Sequence, residues 1–234
     1  MSEPFPKLGA FVVTFHNLVH TITWFSILVL LIIGLIRDTE GTMKQIEEKS
    51  GLAVTVYKYI QIDQCFEIIY TAIGWQKASL VALVPQTAAR TFFGLFTMPQ
   101  YLKHNPKHTL LVFICLAMFS LVESFRYGFY LVKKFNLEKT MIGKFFGILR
   151  YNLFLVCYPL GAACECLVLY YVAKGLGSTM NINMPNRWNF GLDFQKCLYV
   201  MMLGYGVVFP QIYKYLLKQR REFMAGLSAK PKIN

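Results

Sequence analysis

A few ionisable side chains lie inside long apolar stretches of this 234-residue chain, and they are where any chemistry would have to be done. Taking a charge out of water is costly, so each such group is a functional candidate until a partner explains it. Glu123 and Arg126 stand three apart on one predicted helix and can neutralise each other. Glu67 and Arg90 can pair in the same way between neighbouring segments, and both pairs read first as structure. Tyr158 and Glu165 are different. Seven residues is close to two helical turns, which puts a phenol and a carboxylate on one stripe about 10 Å apart along the axis, with no sequence-adjacent cation for the acid. Such a pair can face one cavity. On the competing reading Tyr158 packs as a core aromatic and Glu165 takes a cation from another helix, and spacing alone favours that reading.

The elements that must position these groups are membrane helices. Hydrophobic residues make up 56% of the chain and charged residues only 15%, against about one-quarter charged in an ordinary soluble domain. The apolar residues fall in runs near the roughly 20 residues that cross a hydrocarbon core. Six spans are predicted, near residues 8–36, 52–74, 79–98, 109–132, 145–173 and 194–217, followed by a basic tail over 218–234. The expected fold is therefore all-α, a single polytopic transmembrane bundle with the lipid bilayer as its solvent and no second domain. The second run carries Lys58, Asp63 and Glu67 and is kept as a span because a bundle interior can shelter polar groups that lipid cannot. A loop is expected over Pro99 to His108, and the first run is too long for a cleaved leader.

The formal charge of +12 does not indicate nucleic acid, because the basic residues lie between apolar runs and at the C-terminus and form no basic domain. They fit a topology signal. Lys133, Lys134, Lys139, Lys144 and the tail lysines and arginines outnumber the basic residues on the other side, so both termini are expected in the cytosol. Lys230 and Lys232, fifth and third from the end, resemble a dilysine retrieval signal of the endoplasmic reticulum.

Several chemistries are absent. Four histidines, His16, His20, His104 and His108, are too few for the histidine boxes of membrane di-iron enzymes. His16 and His20 share a helical face, but two helix histidines are more often packing or hydrogen-bonding groups than ligands, so no metal is expected. The six cysteines form no C-x-x-C pair, no C-x5-R loop and no evident disulfide framework, and no Gly-rich phosphate loop follows a strand. No cofactor is expected.

The stretch Arg150-Tyr151 through Phe154, Tyr158-Pro159, Gly161 and Glu165 resembles the signature of the membrane 3-hydroxyacyl-CoA dehydratases of very-long-chain fatty acid elongation. Other segments agree in order. Glu123, Arg126, Tyr127 and Tyr130 match an E-x-x-R-Y-x-F-Y motif, Glu67 to Gly74 with Ser79, Gln86 and Arg90 match the second and third spans, and Tyr205, Pro210 and Tyr213 match the last. The similarity covers nearly the whole chain. Tyr70, Phe119 and Val207-Val208 depart from the family's usual His, Trp and Pro-Gly.

The resemblance implies that Tyr158 and Glu165 are catalytic. It also implies that Gln86, Arg90, Glu123, Arg126, Tyr127, Arg150 and Tyr151 bind or position an acyl-CoA substrate, and that the partners are the other enzymes of the elongation cycle. Removing water from a 3-hydroxyacyl thioester needs one base and one acid and no metal or redox cofactor, which a carboxylate and a phenol can supply. Lys133, Lys134, Lys144 and Arg150 are candidates for the CoA phosphates. A non-catalytic scaffold of the elongation complex and a small transporter remain as alternatives; a scaffold would need neither Tyr158 nor Glu165.

Overall fold

A peptide group in hydrocarbon finds no water, so each apolar run must close its own hydrogen bonds, and a helix does so within one segment. The computed structural model describes residues 6–37, 51–104, 109–176, 181–187 and 189–228, and these are almost wholly helical. The helices are α1 (Pro6–Arg37), α2 (Leu52–Gln64), α3 (Phe66–Ala72), α4 (Leu80–Phe92), α5 (Met98–His104), α6 (Leu110–Lys134), α7 (Met141–Leu176) and α8 (Phe194–Ser228). The protein is an all-α polytopic membrane bundle. By length and composition, Lys7–Ile36, Leu110–Lys134 and Met141–Leu176 can each cross a membrane. The remaining runs carry more polar groups or are interrupted.

Helix α6 lies at the centre, packed along α1 on one side and α7 on the other; α8 covers α7, and α2 packs on α1 and α4. Trp24, Tyr57, Leu116, Tyr127 and Val168 fill the core between them. Large apolar side chains such as Phe11, Ile22, Val156 and Leu203 point outward, the arrangement expected of a surface solvated by lipid.

The helix ends show why the elements stop where they do. The second run is two helices, since Cys65 N–H bonds to Ile62 O at 3.1 Å and tightens the chain there. Helix α3 ends on Gly74, whose φ of +85° is the left-handed conformation that glycine adopts without penalty. Thr140 Oγ1 accepts the Gly143 N–H at 3.1 Å and starts α7, and Asp193 Oδ1 accepts the Lys196 N–H at 3.1 Å and starts α8.

Two stretches differ from expectation. The third run does not end in a loop at Pro99: a widened turn over Phe93–Thr97 carries it into α5 as far as His104. Pro99 sits in the first turn after the widening, where a missing N–H does little harm. The last helix continues past Leu217 to Ser228, held to α7 by Arg220 Nε–H on Asn152 Oδ1 at 3.0 Å and by Phe223 stacked on Tyr151 at 4.3 Å. Lys230 and Lys232 of the dilysine pattern, with Lys44, Lys49, Lys107 and His108, lie outside the described residues.

Candidate active site

Helix α7 carries Tyr158 and Glu165 on the face turned toward α4, α6 and α8, and both side chains line one cavity of about 550 Å³. Its walls are apolar, with Phe92 from α4, Phe119 from α6 and Phe209 from α8. Pro159, within α7, has no N–H to give to Leu155 O. Tyr213 O–H donates to that carbonyl at 3.3 Å, so α8 supplies the bond that the proline withholds and fastens the helix beside the catalytic candidates. Gly161 sits between Tyr158 and Glu165 on the cavity wall, facing Phe119.

Glu165 is buried and its Oε1 has no hydrogen-bond partner. Among the described residues no cation lies within 4.0 Å of it, so the cation that the packing reading requires is missing. Its polar neighbour is Tyr205 of α8, which lines the same cavity. Tyr205 is a site residue that the sequence reading placed only as a match in the last span. The available signal was a tyrosine set between Gly204 and Gly206, which leave room around its polar tip.

Tyr158 accepts a hydrogen bond from Gln86 Nε2 at 3.0 Å. The phenol oxygen is thereby held by a donor, which leaves its own proton free for another acceptor. Gln86 and Tyr158 also line a second, larger cavity of about 930 Å³, so they stand where the two spaces meet. The second cavity is polar and basic. Lys77, Lys133, Lys134, Arg126 and Arg150 line it, and Lys144 does not.

The other buried acids are paired. Arg90 donates to Glu123, while Arg126 bridges, with Nε 2.7 Å from Glu123 Oε2 and Nη2 3.0 Å from Glu67 Oε1. Tyr127 O–H completes the cluster by donating to Glu67. The expected Glu123–Arg126 pairing is present but shared, and the expected Glu67–Arg90 pair is not formed. Arg90 reaches across to α6, and Arg126 takes Glu67 in its place. Two carboxylates and two guanidiniums leave the cluster neutral, as a buried site demands. Arg90 then extends toward the cavity, 4.9 Å from the Phe119 ring centroid and 6.0 Å from that of Tyr158.

Arg150 and Tyr151 lie apart from Glu165. The Arg150 guanidinium is held over the Tyr130 ring at 4.5 Å and the Phe129 ring at 5.1 Å, at the wall of the basic cavity.

A polytopic membrane bundle that buries an unpaired carboxylate and a phenol beside an apolar cavity, with a basic cavity adjoining, has the form of an acid–base site for a long apolar substrate with an anionic head. Residues 61–226 match the family described as protein tyrosine phosphatase-like, PTPLA, and the chain belongs to that family. No Cys-x5-Arg phosphatase loop is present. The chain is 28% identical over 217 residues to very-long-chain (3R)-3-hydroxyacyl-CoA dehydratase hpo-8 of Caenorhabditis elegans, covering 92% of this chain and 95% of that one. It is 28% identical to very-long-chain (3R)-3-hydroxyacyl-CoA dehydratase 1 of Mus musculus, covering 91% and 73% of the two chains. With very-long-chain (3R)-3-hydroxyacyl-CoA dehydratase PASTICCINO 2B of Oryza sativa it shares 27% identity over 74% and 76%. No solved structure matches.

Proposed function

We propose that this protein dehydrates very-long-chain (3R)-3-hydroxyacyl-CoA to trans-2-enoyl-CoA in fatty acid elongation, at the endoplasmic reticulum membrane with both termini cytosolic. The observation that carries this reading is the meeting of an apolar and a basic cavity at Tyr158 and Gln86. The acyl tail takes the apolar space, the CoA phosphates take the basic one, and C2 and C3 of the substrate lie at the junction. Lys133, Lys134 and Arg150 attract the phosphates. Lys144, outside the cavity lining, serves topology.

In the reaction, the Glu165 carboxylate removes the C2 proton and the C2–C3 double bond forms. The C3–O bond breaks as Tyr158 gives its proton to the departing hydroxyl, which leaves as water. The Gln86 N–H that holds the phenol oxygen stabilises the charge left on it. Return of the proton from Glu165 to Tyr158, through water, restores both groups. The paired cluster of Glu67, Arg90, Glu123, Arg126 and Tyr127 holds α3, α4 and α6 in place around the site.

The test is direct. Purified protein given 3-hydroxyacyl-CoA produces the enoyl thioester, followed by mass spectrometry. A scaffold or a transporter produces none.

A further inference from the structure

Beside Tyr127, whose ring centroid lies 4.4 Å from that of His20, the bundle brings together three groups that the dehydration does not use. His16 and His20 stand one turn apart on α1, and Asp63 comes from α2. Their ligand atoms all lie within 4.8 Å of one another. Asp63 Oδ2 is 2.8 Å from His20 Nε2 and 3.3 Å from His16 Nε2. None of the three residues lines either cavity.

Hydrogen bonding and ion pairing do not exhaust what these groups can bind. His20 Nε2 bonds to Asp63, but His16 is buried with neither ring nitrogen in a hydrogen bond, although its Nε2 faces the carboxylate. A buried imidazole with its nitrogen aimed at a carboxylate and a second imidazole is an unfilled donor. Charge points the same way. Glu67 and Glu123 are already neutralised by Arg126 and Arg90. Among the described residues, Asp63 has no Lys or Arg within 4.0 Å and only the two imidazoles beside it.

We propose that His16, His20 and Asp63 form a binding site for a divalent transition metal, zinc by its donor set, that fastens α1 to α2. Two neutral imidazoles and one carboxylate are the ligand types zinc takes, and tetrahedral bonds of about 2.0 to 2.1 Å set neighbouring ligand atoms about 3.3 Å apart. The observed 3.3 and 2.8 Å between Asp63 and the two imidazoles approach that spacing, and the two imidazole nitrogens, within 4.8 Å of each other, have at most about 1.5 Å to close. Helical histidines four apart present both rings to one point, and here the rings lie 4.0 Å apart. Tyr70 and Tyr127 pack on the rings at 5.3 and 4.4 Å and restrict their rotation. Asp63 remains 44% exposed, which gives the metal a way in and a fourth position for water. The site goes beyond the proposed dehydration, and its presence or absence leaves that reading untouched.

The experiment uses the full chain in detergent without a polyhistidine tag, with His104 and His108 changed to Asn so that they cannot supply a competing site. After chelator treatment the protein is titrated with Zn²⁺, and with Co²⁺ as a visible reporter. One metal per chain is expected, with the intense visible absorption of four-coordinate cobalt. Asp63→Asn, His16→Asn and His20→Asn each lower the affinity at least about a hundredfold, since losing a ligand costs more than losing a group that merely orients one. Zn²⁺ raises the melting temperature of the parent and leaves that of the variants unchanged. Electron spin echo spectroscopy of the Cu²⁺-loaded parent counts bound imidazoles with no further variant, so the test survives misfolding of any of the three; two are expected. No stoichiometric metal, unchanged affinity in the Asp63→Asn protein, or fewer than two imidazoles overturns the site.

Discussion

Two regions of the same bundle bury carboxylates in opposite ways. Between α3, α4 and α6, Glu67 and Glu123 are each held by arginine, and a tyrosine occupies an acceptor that would otherwise be open. On α7, about two turns from Tyr158, Glu165 is nearly as buried, yet one oxygen is unpartnered and, among the described residues, no cation lies within 4.0 Å of it. A paired carboxylate is committed to the fold. An unpaired one beside a cavity keeps its affinity for a proton, and that is what a general base requires. Burial alone therefore does not separate the two regions; among the described residues, a cation at the carboxylate does.

The largest effect should come from breaking the paired region. Glu123→Gln leaves Arg90 and Arg126 buried without their shared acceptor and is expected to cost about 3 to 5 kcal/mol of stability. Thermal unfolding in detergent measures it. Glu165→Gln should cost little or even stabilise, because it removes a buried carboxyl that, among the described residues, has no cation within 4.0 Å. Similar losses from the two substitutions would erase the distinction.

Activity should reverse that order. Tyr158→Phe and Glu165→Gln each conserve shape and are expected to lower kcat at least about a hundredfold, the low end for a positioned acid or base, or roughly 2.7 kcal/mol. The double variant should be scarcely slower than the worse single, since both act in one step. Near-normal turnover of either single variant at saturating 3-hydroxyacyl-CoA removes that residue from the mechanism.

A smaller effect tests how the phenol is held. Gln86→Leu deletes the N–H on Tyr158 Oη and should lower kcat about threefold to tenfold, from a hydrogen bond worth about 0.5 to 1.5 kcal/mol. KM should change little, which a defect in substrate binding would not reproduce. Smallest of all, changing Lys133 and Lys134 together to Ala should raise KM a few-fold and flatten its dependence on salt, with kcat unchanged. Loss of kcat there would move those lysines from the CoA head to the reaction.

The all-α membrane fold was legible in residue types and run lengths, because a chain with so few charges and apolar runs near the bilayer's thickness has few ways to satisfy its backbone except as helices. The α7 stripe was legible for the same local reason: helical periodicity alone places Tyr158 and Glu165 on one face. Whether Glu165 had a cation was not a local question. It depended on where Arg90 pointed, and Arg90 is spent on Glu123, a residue 33 positions away that helix packing brought within reach.

The same holds for every contact made across helices. Gln86 meets Tyr158 over 72 positions of chain, and Tyr213 meets Leu155 over 58. His16 and His20 were visible as a one-turn pair, but the third ligand candidate, Asp63, is 43 residues beyond His20 and read only as one of three polar groups that the bundle would shelter in the second span. Periodicity within a helix is set by backbone geometry and travels with the sequence. The choice of neighbour is set by side-chain packing between helices, where each buried charge settles with whichever opposite charge the completed bundle leaves closest.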